Sequence, residues 1–396
     1  MPRHVPRTGG PALAERPDGW VRRRAASRTR GVSRRSLLRG VGVGAGALAL
    51  GACGTPGSGG AGGGAGLSVV DQRGRRIELA GPVRRLVTIV IPAASMVAAI
   101  DSGVDHLVGM NSSAAKAIQD GILGKIFPAA DRIPGDVADD SFAPNVESIV
   151  ALDPDVVVQW GDRGSEIIAP LENAGVRVLG LRYGTQQDLE TWIGLFGTLL
   201  GKPDRAAALV GRMHDRLAAI RSAPPIVAGK PKILYFNRMR GGMTIGGNGS
   251  YTDFYINLVG GTNPAAGLSS QASVSAEQVL AWDPDVVLVG NFDSATPEDV
   301  YGNPVWQGMS AVRSRRVYKV PLGGYRWDPP CAESPLMWQW LRSIAFPEAG
   351  AGQLRAQMHD DYRFLYNYDL TDADVDRILW TDLNAGSANY RRLYAG

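Results

Sequence analysis

A fourteen-residue segment occurs twice in this chain, 130 positions apart: Asn145–Val158 returns as Ser275–Leu288. Glu147, Ala151 and Asp153-Pro154-Asp155 of the first copy reappear as Glu277, Ala281 and Asp283-Pro284-Asp285. Each copy predicts a short helix beginning near the glutamate. The proline ends that helix, because the residue before a proline is pushed out of the helical region. A β-branched run then follows, Val156–Val158 and Val286–Leu288, of the kind found in strands buried on both faces. Two such units in a chain of 396 residues, too long for a single ordinary core, predict an α/β fold of two similar lobes with mainly parallel sheets.

The remaining pattern agrees with that division. In a first lobe, residues 67–185, Val69–Leu79 reads as a hairpin turning at Arg73-Gly74. Strands follow at Leu86–Ile91, Leu107–Met110, Val156–Gln159 and Val176–Leu181, with a helix at Ser95–Ser102. Residues 186–222 form a long helical connector, with apolar residues at helical spacing on both sides of Gly201-Lys202-Pro203. The second lobe, 223–396, opens on the strand Lys232–Phe236 and ends in an amphipathic helical tail from about Gly350 to Tyr394.

The N-terminus reads as an address. Ser33-Arg34-Arg35-Ser36-Leu37-Leu38-Arg39 precedes a short apolar run, the layout of a twin-arginine export signal over residues 1–52. Leu50-Gly51-Ala52-Cys53 resembles a bacterial lipobox, which makes Cys53 the lipidation site and the first residue of the exported protein. Residues 53–66 then form a tether: Gly54–Gly66 holds eight glycines in thirteen residues, a coil spanning roughly 20 Å. Residues 1–52 also carry eleven arginines against two acids, whereas the rest carries 31 basic and 36 acidic residues. The basic balance therefore belongs to the signal, and the body gives no reason to expect nucleic acid as a partner.

Several chemistries are disfavoured by what the body contains. With Cys53 lipidated, Cys331 has no partner, so neither a disulfide framework nor a CxxC site is expected. Only His106, His214 and His359 lie beyond the tether, none at a strand exit, so no directly held divalent metal is expected. GxSxG, HExxH and GxxxxGK[ST] are all missing, and no catalytic residue or cofactor is assigned. A twin-arginine-exported cofactor enzyme is the alternative class, but no acid/base set supports it.

Lipoprotein signal, glycine tether, two α/β lobes and helical connector together resemble the substrate-binding proteins of ABC importers, in the branch for ferric siderophores, haem and vitamin B12. Val70-Asp71-Gln72-Arg73-Gly74-Arg75 looks like that family's opening "DxxGR" hairpin, and Val259–Asn263 like its "GGxN" turn. Trp327–Pro335 looks like a "WDxPxPExP" segment, and Leu365–Thr371 resembles a "FYGxDL" tail. The resemblance implies the class III periplasmic-binding-protein fold, limited closure and a ligand held between the lobes. It implies permease docking through Glu147 and Glu277. Their place in a first helical turn also favours a carboxylate, and a helix-terminal role alone is the simpler reading of the same residues.

Ligand contacts are expected where strands end and helices begin. Those exits supply Trp160, Arg182 and Tyr183 in the first lobe, and Asn237, Arg238, Tyr325, Arg326 and Trp327 in the second. Arginine forks suit anionic oxygens, and Trp and Tyr stack on planar groups. The lining suits an anionic, partly aromatic metal chelate, and the resemblance implies an iron complex, a ferric siderophore first, with haem, a corrinoid or an oxyanion as alternatives. The chain is expected to work as a monomer on the outer face of the cytoplasmic membrane. Cys53→Ser should move the protein from the membrane fraction to the soluble one; unchanged retention with the signal processed would refute the lipid anchor.

Overall fold

Unbroken apolar runs and the twice-used Asp-Pro-Asp turn build both sheets of the structure, a computed structural model that describes residues 66–223, 229–349 and 353–394. The export signal, Cys53 and nearly all of the tether lie outside the described residues. The opening hairpin pairs β1 (Leu67–Val70) with β2 (Arg76–Leu79), turning at Gly74 with φ 79°, a conformation suited to glycine. β3 (Leu86–Thr88), β4 (Leu107–Met110), β5 (Val156–Trp160) and β6 (Val178–Leu181) form the first sheet, ordered β4-β3-β5-β6 and wholly parallel. The hairpin seals the β6 edge: Gly180 N donates to the buried Asp71 carboxylate at 2.9 Å, and Gln72 N to Gly180 O at 3.1 Å.

The second sheet contains β7 (Ile233–Arg238), β8 (Thr244–Ile245), β9 (Ala272–Ser273), β10 (Val286–Val289) and β11 (Val317–Lys319), ordered β11-β10-β7-β8-β9. β10 is parallel to both neighbours, while β8 and β9 add antiparallel pairs. Those two-residue strands carry too little periodicity to be read from sequence. On β7, Ile233 and Tyr235 face the large core shared with the first lobe, and Leu234 and Phe236 face a second cluster. On β10, Val286 and Leu288 take the shared core, Val287 and Val289 the other. Successive side chains point to opposite faces, so an unbroken apolar run is what a doubly covered sheet requires.

The repeated segment adopts one geometry twice. Helix Val146–Ala151 is capped by Asn145, which accepts from Ser148 N, and helix Ala276–Trp282 by Ser275, which accepts from Gln278 N, both at 3.3 Å. Asp153 and Asp283 each turn the chain at φ 43°. The second aspartate of each triplet then grips the start of the neighbouring strand. Asp155 accepts from Arg84 N at 2.8 Å and Arg85 N at 3.0 Å, ahead of β3. Asp285 accepts from Lys232 N at 2.7 Å, ahead of β7. The cation at that point reaches back to the helix end, Arg85 to Leu152 O at 2.6 Å and Lys232 to Trp282 O at 2.5 Å. Leu152 and Trp282 are again 130 apart, and cations favour a helix C-terminus.

The connector is a pair of helices, Gln186–Leu199 and Pro203–Ser222, packed on each other. A capping box of Thr185 and Asp188 starts the first, Gly201 at φ 67° ends its loop, and Pro203 opens the second. The second, about 30 Å long by its residue count, packs on helix Ser334–Ala345, which follows the last strand. The tail is three helices rather than one, Leu354–Tyr366, Asp372–Ile378 and Tyr390–Tyr394, because Asn367 turns left-handed and Thr371 caps a new start. It also reaches the first lobe, where Lys125 pairs with Asp374 at 2.6 Å, and the loop after β11 does the same, Ile122 N donating to Gly323 O at 2.9 Å. The described residues accordingly belong to one compact unit.

Removing either clamp should loosen its sheet. Asp155→Ala and Asp285→Ala should each cost about 1–3 kcal/mol, the range for hydrogen bonds to a charged group. Urea denaturation checks this, and two unshifted midpoints would show that the triplet's second aspartate does not hold the strand.

Candidate functional site

The carboxyl ends of both sheets open on one cavity of about 460 Å³, a volume suited to a small ligand. β5 ends on Trp160 and β6 leads to Tyr183, which bring two rings from the first lobe. β7 ends on Asn237 and Arg238, and the segments after β10 and β11 bring Phe292, Tyr325 and Asp328 from the second. Five of the eight residues expected from the strand exits therefore line one wall or the other: Trp160, Tyr183, Asn237, Arg238 and Tyr325.

Three do not. The Arg182 side chain is 60% exposed, 3.8 Å from Asp188, on the far side of its strand exit from Tyr183, which turns into the cavity. Arg326 is buried and donates to Asn291 O of the second lobe and Ser113 O of the first, both at 3.0 Å. Its guanidinium also lies 4.6 Å from the Phe292 ring, so it ties the lobes together behind the wall. Trp327 is fully buried, with Nε1 donating to Glu333 at 2.6 Å. Glu333 also receives Tyr362 and Tyr366 hydroxyls and Gly324 N, and this knot holds the loop that presents Tyr325. An exit loop of seven residues cannot face a ligand with every side chain, and consecutive residues diverge.

The cations that remain are Arg163 and Arg238, one from each lobe. Both are exposed, and among the described residues neither has a hydrogen bond or ion pair to its side chain. Arg163 instead lies 4.6 Å from the ring centroids of Phe142 and Trp160. Crowding by those neighbours lowers its pKa, opposed by the Asp162 charge, and it remains a cation. Trp160 is the hub of the first wall, with Phe142, Tyr183 and Trp192 set edge-on around it at 5.8–6.1 Å. Arg163 shares Trp160's exit and was legible there. Phe142 precedes the repeat helix, where no strand pattern points to a cavity.

The second wall is polar under its rings. Tyr235 donates to Asp328 Oδ2 at 2.6 Å, while Asp328 Oδ1, the Tyr325 hydroxyl and Trp160 Nε1 are buried without a partner in the chain. Burial, then the Asp328 charge, pushes Tyr183 up to about 12 and Tyr235 well above its ordinary value. These hydroxyls are therefore protonated donors at neutral pH. Among the described residues no three His, Cys, Asp or Glu side chains gather as a metal-binding group. His106 pairs with Asp101 at 2.6 Å and His214 with Glu190 at 3.1 Å, both away from the cavity. Glu147 and Glu277 sit exposed in the first turns of the two repeat helices and line no part of it. Hydrogen bonding to Ser275 lowers the Glu277 pKa.

A cavity between two α/β lobes, walled by aromatic rings and unpaired arginines, is an architecture suited to holding a solute. The model of the periplasmic binding protein family matches residues 137–322. The periplasmic solute binding protein from Veillonella parvula DSM 2008 superposes with TM-score 0.70 at 32% identity, covering 80% of this chain and 98% of that one. The cobalamin-binding protein of Halobacterium salinarum is 30% identical over 55% of this chain, which spans 62% of that relative's length. The molybdate-binding protein MolA of Haemophilus influenzae is 23% identical, over 74% of this chain and 89% of that protein. The chain belongs to the periplasmic binding protein family.

Proposed function

We propose that this protein is the lipid-anchored capture component of an ABC importer, which takes an anionic iron complex, a ferric siderophore foremost, into its cleft and presents it to a permease. The observation that carries the reading is the pair Arg163 and Arg238, accessible, unpaired and on opposite walls of an aromatic cavity. A permanent planar donor fork to which no carboxylate is hydrogen-bonded is free to take ligand oxygens. The cavity is far larger than a tetrahedral oxyanion, which favours a bulkier chelate. Relatives named as binding iron(3+)-hydroxamate and Fe(3+)-citrate in Bacillus subtilis, and the cobalamin- and molybdate-binding relatives, define the ligands to compare. Docking falls to Glu147 and Glu277, exposed at matching places on the two lobes. The protein does no covalent chemistry, acts as a monomer, and is held at the outer face of the cytoplasmic membrane through Cys53.

Tryptophan quenching with ferric citrate, molybdate, a neutral ferric trihydroxamate and cyanocobalamin tests the ligand. Arg163→Ala and Arg238→Ala should each weaken an anionic ligand about ten- to a hundredfold, the value of one charge-assisted hydrogen bond. Arg182→Ala should leave affinity unchanged. If both cavity variants bind like the parent while Tyr183→Ala and Tyr325→Ala fail, the ligand is neutral and the anionic reading falls. Binding of no probe would remove the iron-complex reading altogether.

Docking is tested separately. Glu147→Ala with Glu277→Ala should keep ligand affinity and lose permease-dependent uptake. Loss of affinity in a folded double variant would move both residues from the docking surface to the cleft.

A further inference from the structure

Phenylalanine rarely occupies the left-handed backbone region, yet Phe142 does so at φ 68° in the wall of the cavity. The surrounding chain over-determines that conformation. Phe142 N donates to Asp139 O at 3.1 Å, and Phe142 O accepts from Nε2 of the fully buried Gln159 at 2.9 Å. The Asp139 carboxylate closes the turn on both sides, accepting from Ser141 N at 2.8 Å and Ala143 N at 2.9 Å. Strain maintained this firmly points to what it positions. Here it positions a ring, set edge-on to Trp160 at 6.1 Å and 84°, with the Arg163 guanidinium 4.6 Å from both centroids.

A guanidinium held against ring faces keeps its N–H edge available, whereas a carboxylate partner would occupy that edge. Arg163 has rings and, among the described residues, no carboxylate hydrogen-bonded to it. The scaffold itself does not demand the arrangement. The matching place in the second lobe, 130 residues on, is Ala272, and that lobe builds its sheet without a ring there. We propose that Phe142 is a positioning residue: its left-handed turn places a ring that, with Trp160, aims the Arg163 fork at the ligand, so Phe142 sets anion affinity through Arg163. This rests on the reading of the cleft as an anion site.

The test uses the full chain with Phe142→Leu, Phe142→Tyr, Arg163→Ala and the Leu/Ala double variant. Ferric citrate and molybdate serve as anionic probes, with a ferric trihydroxamate and cyanocobalamin as neutral ones. Phe142→Leu should weaken an anionic probe about ten- to a hundredfold, up to the loss seen in Arg163→Ala. Phe142→Tyr should restore binding, the double variant should bind no worse than Arg163→Ala, and neutral probes should not respond. Equal weakening of neutral and anionic probes, or additive losses in the double variant, would make Phe142 an ordinary packing contact and overturn the proposal. So would an unchanged Phe142→Leu beside a weakened Arg163→Ala.

A second measurement needs no ligand. Ring currents should move the Arg163 Nε–H proton resonance upfield, assigned by its loss in Arg163→Ala. Phe142→Leu should return it toward ordinary arginine positions, and Phe142→Tyr should not. If no anionic probe binds, or Arg163→Ala changes none, the anion-site reading fails, and with it the ligand role of Phe142. An unmoved resonance in Phe142→Leu overturns the aiming geometry whatever the probes do.

Discussion

One aspartate per lobe sets the frame. Asp155 and Asp285 end a turn, open a central strand and accept backbone N–H groups at the start of the neighbouring strand. In the register that follows, Val156 pairs with Leu86 in one sheet and Val286 with Ile233 in the other. A one-residue slip would turn every side chain to the opposite face, so a charged clamp at the strand origin fixes which residues enter the core. It also fixes where the strands stop. Trp160, and Asn237 with Arg238, reach the cavity because their strands are anchored at the other end.

Joints away from the strands hold the lobes at a set separation. Near its start, the long second connector helix sends Lys202 to Asp101 and Arg205 to the carbonyls of Ala99 and Leu365, which binds first-lobe helix and tail to the same element. On the other side, Lys125–Asp374, Ile122–Gly323 and the Arg326 tie join the lobes beside the cavity. Gly121 is part of that joint: a Cβ there would meet Gly323 O at 2.3 Å, so a side chain would force the backbones apart. Contacts on both flanks thus tie the two walls of the cavity to each other.

How much of this was legible depends on the kind of signal. The repeat, both parallel cores and the connector's break at Gly201-Lys202-Pro203 follow from local pattern, which is why they could be read directly. Of the residues that the strand-exit rule selects, Trp160, Tyr183, Asn237, Arg238 and Tyr325 line the cavity, and Arg182, Arg326 and Trp327 do not, because the rule selects loops and not side-chain directions. Arg326 reads as a ligand cation and serves as a tie between carbonyls; Trp327 reads as a stacking ring and serves Glu333. Phe142 was beyond reach, since its position depends on a left-handed turn and on Gln159 from another element.

The twice-used frame carries two different rims, and the 130-residue offset shows how they differ. Trp160 corresponds to Gly290, where a Cβ would meet Phe236 O and the Tyr235 hydroxyl at 2.7 Å, so the second lobe has no room for a ring at that exit. Arg163 corresponds to Asp293, whose carboxylate accepts from Met239 N at 2.5 Å and Arg240 N at 3.1 Å. The place that supplies a cation in one lobe therefore supplies, in the other, the anchor for the loop just past Arg238. Both lobes end with one unpaired arginine at the cavity, yet each reaches it by separate means: an aromatic seat after β5, and a strand end steadied by an acid after β10. The rims thus differ in chemistry from lobe to lobe, while the aspartate clamps beneath them make the same contact twice.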